Sequence, residues 1–190
     1  MTELLRMGLE EKGETKEYSV RLLQKFGKVD AYLTPEKIQA LWIEYSQHDT
    51  LFSDYTQGKV TPFLDVMLAV NAIVAEIYSI DEEIPIGSLM LNRVIEGFDG
   101  LAHFTLWNGR ARGKEPLFLE MMRMWMTEFK LHRLSVEVVG SASGAIRMTE
   151  RLGFKKEGTR REGSIHKGAW VDLEMYGITE EELQARLQEA

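Results

Sequence analysis

The loop at residues 107–116, with the sequence WNGRARGKEP, has the residue types that best suit phosphate binding. Three cations, Arg110, Arg112 and Lys114, surround the second glycine of the loop, Gly113. Backbone N–H groups at a helix N-terminus bind phosphate, and glycine lets the phosphate approach the backbone. Because the loop precedes a predicted helix, it predicts a phosphate site that the cations contact directly. The alternative is a basic surface loop without a ligand, which Glu115 favours because a carboxylate repels phosphate.

Four residues outside this loop carry groups that can take up or release a proton during a reaction. They are His103, Glu137, Ser141 and Ser143. The first two lie in predicted strands and are candidates for a general base, as are Glu76 and Glu96. The two serine hydroxyls precede a predicted helix, where they can serve either chemistry or helix capping. For the histidine and the carboxylates, the alternatives are a structural imidazole and a solvated or ion-paired side chain.

Composition narrows the class of protein. The chain has 190 residues, 44% of them hydrophobic and 28% charged, which fits one globular domain with its own core. A net charge of −7 argues against nucleic acid as a partner. The absence of cysteine excludes disulfides, thiolate metal sites and cysteine nucleophiles. The histidines have no shared spacing that suggests a metal site.

The N-terminal segment, MTELLRMGLEEKGETKE, is too charged for a signal peptide, and no apolar run is long enough to span a membrane. We therefore expect a cytoplasmic location and no membrane partner. Residues 1–17 are expected to form a polar arm, with one short helix around Leu4 to Leu9. Residues 18–190 are expected to form a single domain.

The hydrophobic pattern over that domain switches between strand and helix periods. Strands are predicted at residues 18–23, 73–78, 86–94, 102–107 and 134–138, with two more after Phe154. Helices are predicted after Thr34, after Thr61, at residues 116–130, after Ser141 and at residues 179–188. This order predicts a mixed α/β (α+β) domain whose central, mostly antiparallel sheet is flanked by helices.

A string of short motifs in the last third of the chain carries a family resemblance. The motifs are Arg133, Ala145-Ile146-Arg147, Leu152-Gly153-Phe154, Glu157-Gly158, Gly168 and Asp172. In this order and spacing they resemble the GNAT acetyltransferases, and specifically the branch that acetylates ribosomal-protein N-termini. The predicted order of strands and helices is also similar to that of the GNAT acyl-CoA N-acyltransferase fold.

The resemblance implies an enzyme that transfers acetyl from acetyl-CoA to a primary amine. The acceptor would be a protein N-terminus or a small amine, and the chain would work as a homodimer or within a protein assembly. By resemblance, the residues that contact the cofactor would be Leu106, Trp107, Arg110, Arg112, Gly113, Lys114, Ser143 and Arg147. His103, Glu137, Ser141 and Ser143 would be the catalytic candidates.

Three departures from the family pattern support a second hypothesis. No alignment of the basic loop restores the family's pair of small residues. Counted from Arg110, Gly113 fits the first small position but Glu115 occupies the last; counted from Arg112, Glu115 and Leu117 occupy both. Ala142 replaces a common asparagine, and Thr149 replaces a tyrosine that often serves as the general acid. The alternative is therefore a GNAT-fold protein with impaired catalysis and a binding or structural role.

Overall fold

The computed structural model describes residues 2–11, 14–26, 28–29, 33–48, 59–80, 84–107 and 113–189. The strands in these ranges are β1 (Thr2–Glu11), β2 (Glu14–Lys25), β3 (Lys28–Val29), β4 (Ile73–Ser79), β5 (Ile84–Ile95), β6 (Asp99–Leu106), β7 (Arg133–Val139), β8 (Lys155–His166) and β9 (Ala169–Thr179). The helices are α1 (Pro35–His48), α2 (Val60–Met67), α3 (Glu115–Glu128), α4 (Ser143–Arg151) and α5 (Glu180–Glu189).

All these strands belong to one sheet, in the order β1-β2-β4-β5-β6-β7-β9-β8, with β3 paired to β2. Every neighbouring pair is antiparallel except β6 and β7, which run parallel. The chain enters β7 after crossing the sheet through α3. The predicted α/β fold class with a mostly antiparallel sheet is therefore confirmed.

The sheet has a hydrophobic core on each face, because successive side chains of a strand point to opposite sides. On β4, Ile73, Ala75 and Ile77 pack with residues of α3, β7 and α5. Val74, between them, packs in a second cluster with residues of α1 and α2. Helices therefore cover both faces of the sheet, with α3 and α5 on one side and α1 and α2 on the other.

Threonine side chains mark the start of two helices. The hydroxyl of Thr34 accepts a hydrogen bond from the Lys37 N–H at 3.3 Å, which confirms the predicted start of α1. At α5, the Thr179 hydroxyl accepts from the Glu182 N–H, and the Glu182 carboxylate accepts from the Thr179 N–H at 2.9 Å. Each group satisfies a backbone donor of the other residue, as in a capping box.

The N-terminal segment differs from the sequence-based prediction. The expected helix around Leu4 to Leu9 is wrong, because these residues lie in β1, which pairs with β2 along its length. The arm expected to end at residue 17 is therefore part of the sheet, and that boundary falls inside β2. Pairing with a partner strand supplies hydrogen bonds that local helix propensity does not reveal.

Two apolar side chains are more exposed than the sequence pattern suggested. The apolar spacing after Thr61 predicts Val70 on one helix face with Phe63 and Met67, but Val70 follows the end of α2 and is 78% exposed. A tryptophan in one of the last two predicted strands suggests a packed side chain, yet Trp170 is 65% exposed on β9. Both errors arise because periodicity does not show where a helix ends or where a sheet lacks a covering layer.

Replacing Gly87 on β5 with alanine is expected to lower the free energy of unfolding. A Cβ there would lie 2.3 Å from the Thr105 carbonyl oxygen and 2.9 Å from the Leu106 Cα, so β5 and β6 would have to move apart. Overpacking of this kind costs about 1–3 kcal/mol, measurable by urea unfolding. Gly158→Ala is the control, because its Cβ would meet no atom within 4 Å. Equal stability of both variants would contradict the predicted clash.

Candidate functional site

A cleft opens where the two parallel strands separate. β6 and β7 pair only from Asp99 to Leu101 and from Arg133 to Ser135. Beyond that point, β6 continues to pair with β5, and β7 with β9. Each of the two strands therefore turns one unpaired edge, with backbone N–H and C=O groups, towards the other. A ligand lying between these edges can hydrogen-bond to the backbone as a strand would.

The space between the strands is a cavity of about 340 Å³. Strands β6 and β7 form two of its walls, the first turns of α4 close it on one side, and Phe118 of α3 contributes to its base. Its lining residues are Ala102, His103, Phe104, Thr105, Leu106, Phe118, Val136, Glu137, Val138, Val139, Ala142, Gly144, Ala145, Met148, Thr149 and Leu152. The cavity volume lies within the range usual for small-molecule and cofactor sites.

A polar cluster holds the closed end of the cleft. The Ser135 hydroxyl donates to both Asp99 carboxylate oxygens, at 2.9 and 3.1 Å. The Arg133 guanidinium donates to the Glu157 carboxylate at 2.7 Å, and this bond raises the pKa of Arg133. Gly177 makes room for that arginine, since a Cβ there would lie 2.1 Å from its Nη2. These contacts tie β6, β7 and β8 together at the point where the cleft begins.

The N-terminus of α3 lies near the open end, at the loop that was predicted to bind phosphate. Gly113 has φ +76°, a conformation that favours glycine, and Lys114 precedes the first helical residue. The Lys114 ammonium donates a hydrogen bond to the Tyr18 hydroxyl and lies 4.7 Å from the centroid of that ring. Arg110 and Arg112 lie outside the described residues, so their predicted contacts stay predictions.

The carboxylate that argued against a phosphate site has a partner on α4. Arg151 Nε lies 2.9 Å from Glu115 Oε1, so the side chain of Glu115 is ion-paired across to the second helix that borders the cleft. This pairing neutralises the negative charge at the start of α3. The repulsion expected from the sequence is therefore reduced by a residue 36 positions further along the chain.

Two of the catalytic candidates, His103 and Glu137, line the cavity. Each alternates along its strand with residues that face α3. Next to His103, the ring of Phe104 stacks on Trp125 of α3 at 5.4 Å between centroids. Val136, beside Glu137, packs in the same core. His103 and Glu137 therefore point to the opposite face of the sheet.

The other two carboxylates considered from the sequence lie elsewhere. Glu76 is buried beneath α1, where its Oε1 lies 2.6 Å from the Lys37 ammonium and its Oε2 accepts a hydrogen bond from Tyr78. Glu96 is exposed in the turn between β5 and β6, at the closed end of the cleft. Neither is among the described residues that line the cavity.

The two serine candidates flank the start of α4 on its exposed side. Ser141 and Ser143 are both exposed, and neither is among the described lining residues. The N-cap position is Ala142, and no side chain caps this helix end. The interpretation of one serine as a capping residue is therefore wrong, and a catalytic role for either hydroxyl stays a prediction.

Of the remaining residues predicted to contact a cofactor, one lines the cavity and the others lie elsewhere. Leu106 lines the cavity, whereas the Trp107 side chain is buried against Tyr45, with 5.3 Å between ring centroids. Packing against Tyr45 accounts for that tryptophan. Arg147 lies on α4 with an exposed side chain, outside the described lining.

The cavity is also lined by small and hydroxyl-bearing residues, which sequence reasoning did not assign to the site. Ala142, Gly144 and Ala145 leave space at the start of α4, and Thr105 and Thr149 bring hydroxyls from β6 and α4. Thr149 carried the only available signal, because it stands at the position of the family's tyrosine. Alanine and glycine give no chemical signal in a sequence, so their role depends on the placement of α4.

In the described ranges, no group of three or more histidine, aspartate or glutamate side chains is arranged to hold a metal ion. None of the described helices is both long enough and apolar enough to cross a membrane. The predicted cytoplasmic location stays a prediction.

Comparison with solved structures identifies proteins that share this fold. Spermidine N-acetyltransferase from Vibrio cholerae, solved with CoA and spermine, superposes with a TM-score of 0.68 at 12% identity, covering 88% of this chain and 98% of that one. Mycobacterium smegmatis RimJ, solved with CoA-disulfide, superposes with a TM-score of 0.70 at 15% identity, covering 100% and 97%. These likenesses show that the fold is that of the GNAT acetyltransferases.

Sequence relatives carry similar names. The chain is 33% identical over 84 residues to the SPbeta prophage-derived uncharacterized N-acetyltransferase YokL of Bacillus subtilis, covering 44% of this chain and 47% of that protein. It is 27% identical over 106 residues to the Probable N-acetyltransferase YjcK of the same organism, covering 54% and 59%. The chain thus matches about half the length of these curated relatives, and no family model matches it. The predicted resemblance to the GNAT acetyltransferases is confirmed.

Proposed function

We propose that this chain, which has the fold of the GNAT acetyltransferases, is an N-acetyltransferase that moves acetyl from acetyl-CoA to a primary amine. The observation that carries the proposal is the cleft between β6 and β7, with its two unpaired strand edges and its cavity of about 340 Å³. An extended pantetheine arm fits between strand edges, because it carries amide groups that can replace missing strand partners.

The residues around the cleft suit the other parts of acetyl-CoA. Backbone N–H groups at the start of α3, next to Gly113, would hold the pyrophosphate. Ala142, Gly144 and Ala145 leave room for the arm beside α4. The ion pair between Arg151 and Glu115 keeps an unpaired carboxylate away from the phosphates. The fold's relatives from V. cholerae and M. smegmatis were solved with CoA or CoA-disulfide, which supports the same co-substrate here.

In the proposed reaction, the amine nitrogen attacks the acetyl carbonyl carbon, the carbon–sulfur bond breaks, and CoA leaves as a thiol. Backbone N–H groups on the β6 edge would polarise the carbonyl oxygen. His103 faces the cavity and is the side chain that we propose as the base for the amine proton. Glu137 is less suited to that task, because its Oε1 already accepts hydrogen bonds from Arg93 and Arg160.

Two hydroxyls that line the cavity are our candidates for protonating the departing sulfur. Thr105 on β6 and Thr149 on α4 are both buried and both line the cavity. Thr149 stands where the family has its acidic tyrosine, so a threonine would take the place of a phenol. Its hydroxyl is a far weaker acid, so we propose that it relays a proton from solvent rather than supplying one itself.

The acceptor is proposed to be a protein N-terminus or a small amine. The V. cholerae relative is a spermidine N-acetyltransferase, which supports a small amine. The resemblance of the last third of the chain to the branch that acetylates ribosomal-protein N-termini supports a protein N-terminus. A homodimer or a larger protein assembly is part of the same proposal. The alternative function, a GNAT-fold protein with impaired catalysis, is supported by the missing pair of small residues at Glu115 and Leu117.

Calorimetric titration of the purified protein with acetyl-CoA tests the proposal. We expect binding in the micromolar range, with desulfo-CoA and ADP as comparison ligands for the pantetheine and phosphate parts. Turnover with a panel of amines and N-terminal peptides can be followed with a thiol reagent, which detects released CoA alone because the protein has no cysteine. No binding at millimolar acetyl-CoA would favour the impaired-catalysis alternative.

Removing the partner of Glu115 is expected to weaken acetyl-CoA binding. Arg151→Ala would leave the carboxylate unpaired beside the phosphates, and exposed charge interactions of this kind correspond to about a two- to fivefold change in Kd. Glu115→Gln in the same chain should restore the affinity, and the loss should shrink at high salt. Titration of the two single variants and the double variant measures the coupling. If Arg151→Ala lowers the affinity for acetyl-CoA equally in the native protein and in Glu115→Gln, then Arg151 acts on the ligand directly.

A further inference from the structure

We infer that the acceptor carries an anionic group, a carboxylate or a phosphate, within a few bonds of its reacting amine, and that Arg93 and Arg160 bind this group. The inference rests on the proposed function and names the acceptor chemistry that the site selects. It follows from the position of the two arginines, their exposure and the charge that they leave unbalanced.

The two arginines converge on one oxygen atom at the wall of the cavity. Arg93 Nη2 lies 3.1 Å from Glu137 Oε1, and Arg160 Nη2 lies 3.2 Å from the same oxygen. Arg93 belongs to β5 and Arg160 to β8, so they approach β7 from opposite sides of the sheet order. Glu137, which lines the cavity, therefore holds two guanidinium groups next to each other at its wall.

This arrangement leaves one positive charge in excess, because two guanidinium groups share a single carboxylate. A guanidinium has five N–H donors, and each arginine's described hydrogen bond uses only one nitrogen, Nη2. The side chains of Arg93 and Arg160 are 59% and 47% exposed, whereas that of Glu137 is 16% exposed. The carboxylate is covered, and the donors that remain face outward.

The excess charge lies on the side from which the amine must approach. The proposed phosphate site is at the start of α3, on one face of the sheet, and the side chains of His103 and Glu137 point to the other face. An acceptor that reaches the acetyl group from that face passes the two arginines. An anionic group on the acceptor would then form charge-assisted hydrogen bonds beside the reacting amine.

At the closed end of the cleft, negative charge is in excess. There, Arg133 lies near two carboxylates, with 2.7 Å to Glu157 and 3.9 Å to Asp99. The positive excess is therefore confined to the open part of β7, where Glu137 lies. A polyamine, which carries only positive charges, is disfavoured at this point, so the selectivity should differ from that of the spermidine-acetylating relative.

Calorimetric titration of the protein saturated with desulfo-CoA tests the inference with matched pairs of amines. The pairs are β-alanine and its amide, phosphoethanolamine and ethanolamine, and two peptides that begin with aspartate or asparagine. We expect the anionic member of at least one pair to bind about tenfold tighter than its neutral partner. The pair with the largest ratio identifies the source of the anion. Spermidine is titrated alongside the pairs. Equal affinities in every pair, or tighter binding of spermidine than of every anionic amine, would overturn the inference.

Substitution of the arginines tests whether they cause the preference for anionic amines. Arg93→Gln and Arg160→Gln should each reduce the preference for the anionic member at least threefold, while the affinity for the neutral member stays the same. Arg161→Gln is the matched control, because it removes the same charge from the next, exposed position of β8. A preference that survives in both arginine variants would overturn the assignment of these residues. Failure of the proposed function is separable, since it would appear as absent acetyl-CoA binding or absent CoA release.

Discussion

Ala145→Trp is expected to abolish acetyl-CoA binding while leaving the fold intact. Ala145 lies in the first turn of α4, where its side chain is exposed to solvent and also borders the cavity between β6 and β7. An indole at this position would fill the space in which we place the pantetheine arm. Because the alanine is outside the hydrophobic core, the substitution does not require the core to repack.

The expected effect is a loss of affinity of at least about a hundredfold, since a ligand excluded from its cleft loses most of its contacts. Calorimetry with acetyl-CoA measures the affinity, and urea unfolding shows whether the variant remains folded. The control is Ala185→Trp, which makes the same exchange on the exposed side of α5. Unchanged affinity in Ala145→Trp would mean that acetyl-CoA does not occupy this cleft.

Local sequence signals predicted most of the fold after residue 17. Thr34 caps α1 as predicted. Gly153, with φ +94°, follows the end of α4 in the left-handed conformation that glycine commonly adopts after a helix. Each of these signals depends only on residues nearby in the sequence, as helix and strand periodicity also does. The N-terminal strand β1 was missed because its stability comes from pairing with β2, which local propensity does not record.

The site was only partly predictable, for a related reason. Residue types identified His103 and Glu137, and both line the cavity. The hydrogen bonds to the Glu137 carboxylate come from Arg93 on β5 and Arg160 on β8, which are 44 and 23 positions away in the sequence. The sequence suggested that Glu115 opposes phosphate binding, and only the structure reveals its ion pair with Arg151, which reaches it from another helix. Interactions between distant strands and helices depend on sheet order, which a single sequence does not specify.

The largest expected effect on the chemical step comes from His103. Its side chain faces the cavity on the side from which we expect the amine to approach, whereas Glu137 is held by two arginines. Loss of a general base lowers the rate by about a hundredfold or more. His103→Gln should therefore reduce kcat strongly and leave the affinity for acetyl-CoA unchanged, because the side chain acts on the amine rather than on the cofactor.

The dependence of rate on pH separates catalysis from positioning. A base works only in its unprotonated form, so kcat/KM of the native protein should fall at low pH, where the base takes up a proton. In His103→Gln this fall should disappear, leaving only the dependence that the acceptor amine itself imposes. His132→Gln serves as the control, since His132 is exposed in the turn before β7. If His103→Gln keeps both the native rate and the native pH profile, the amine proton passes directly to water.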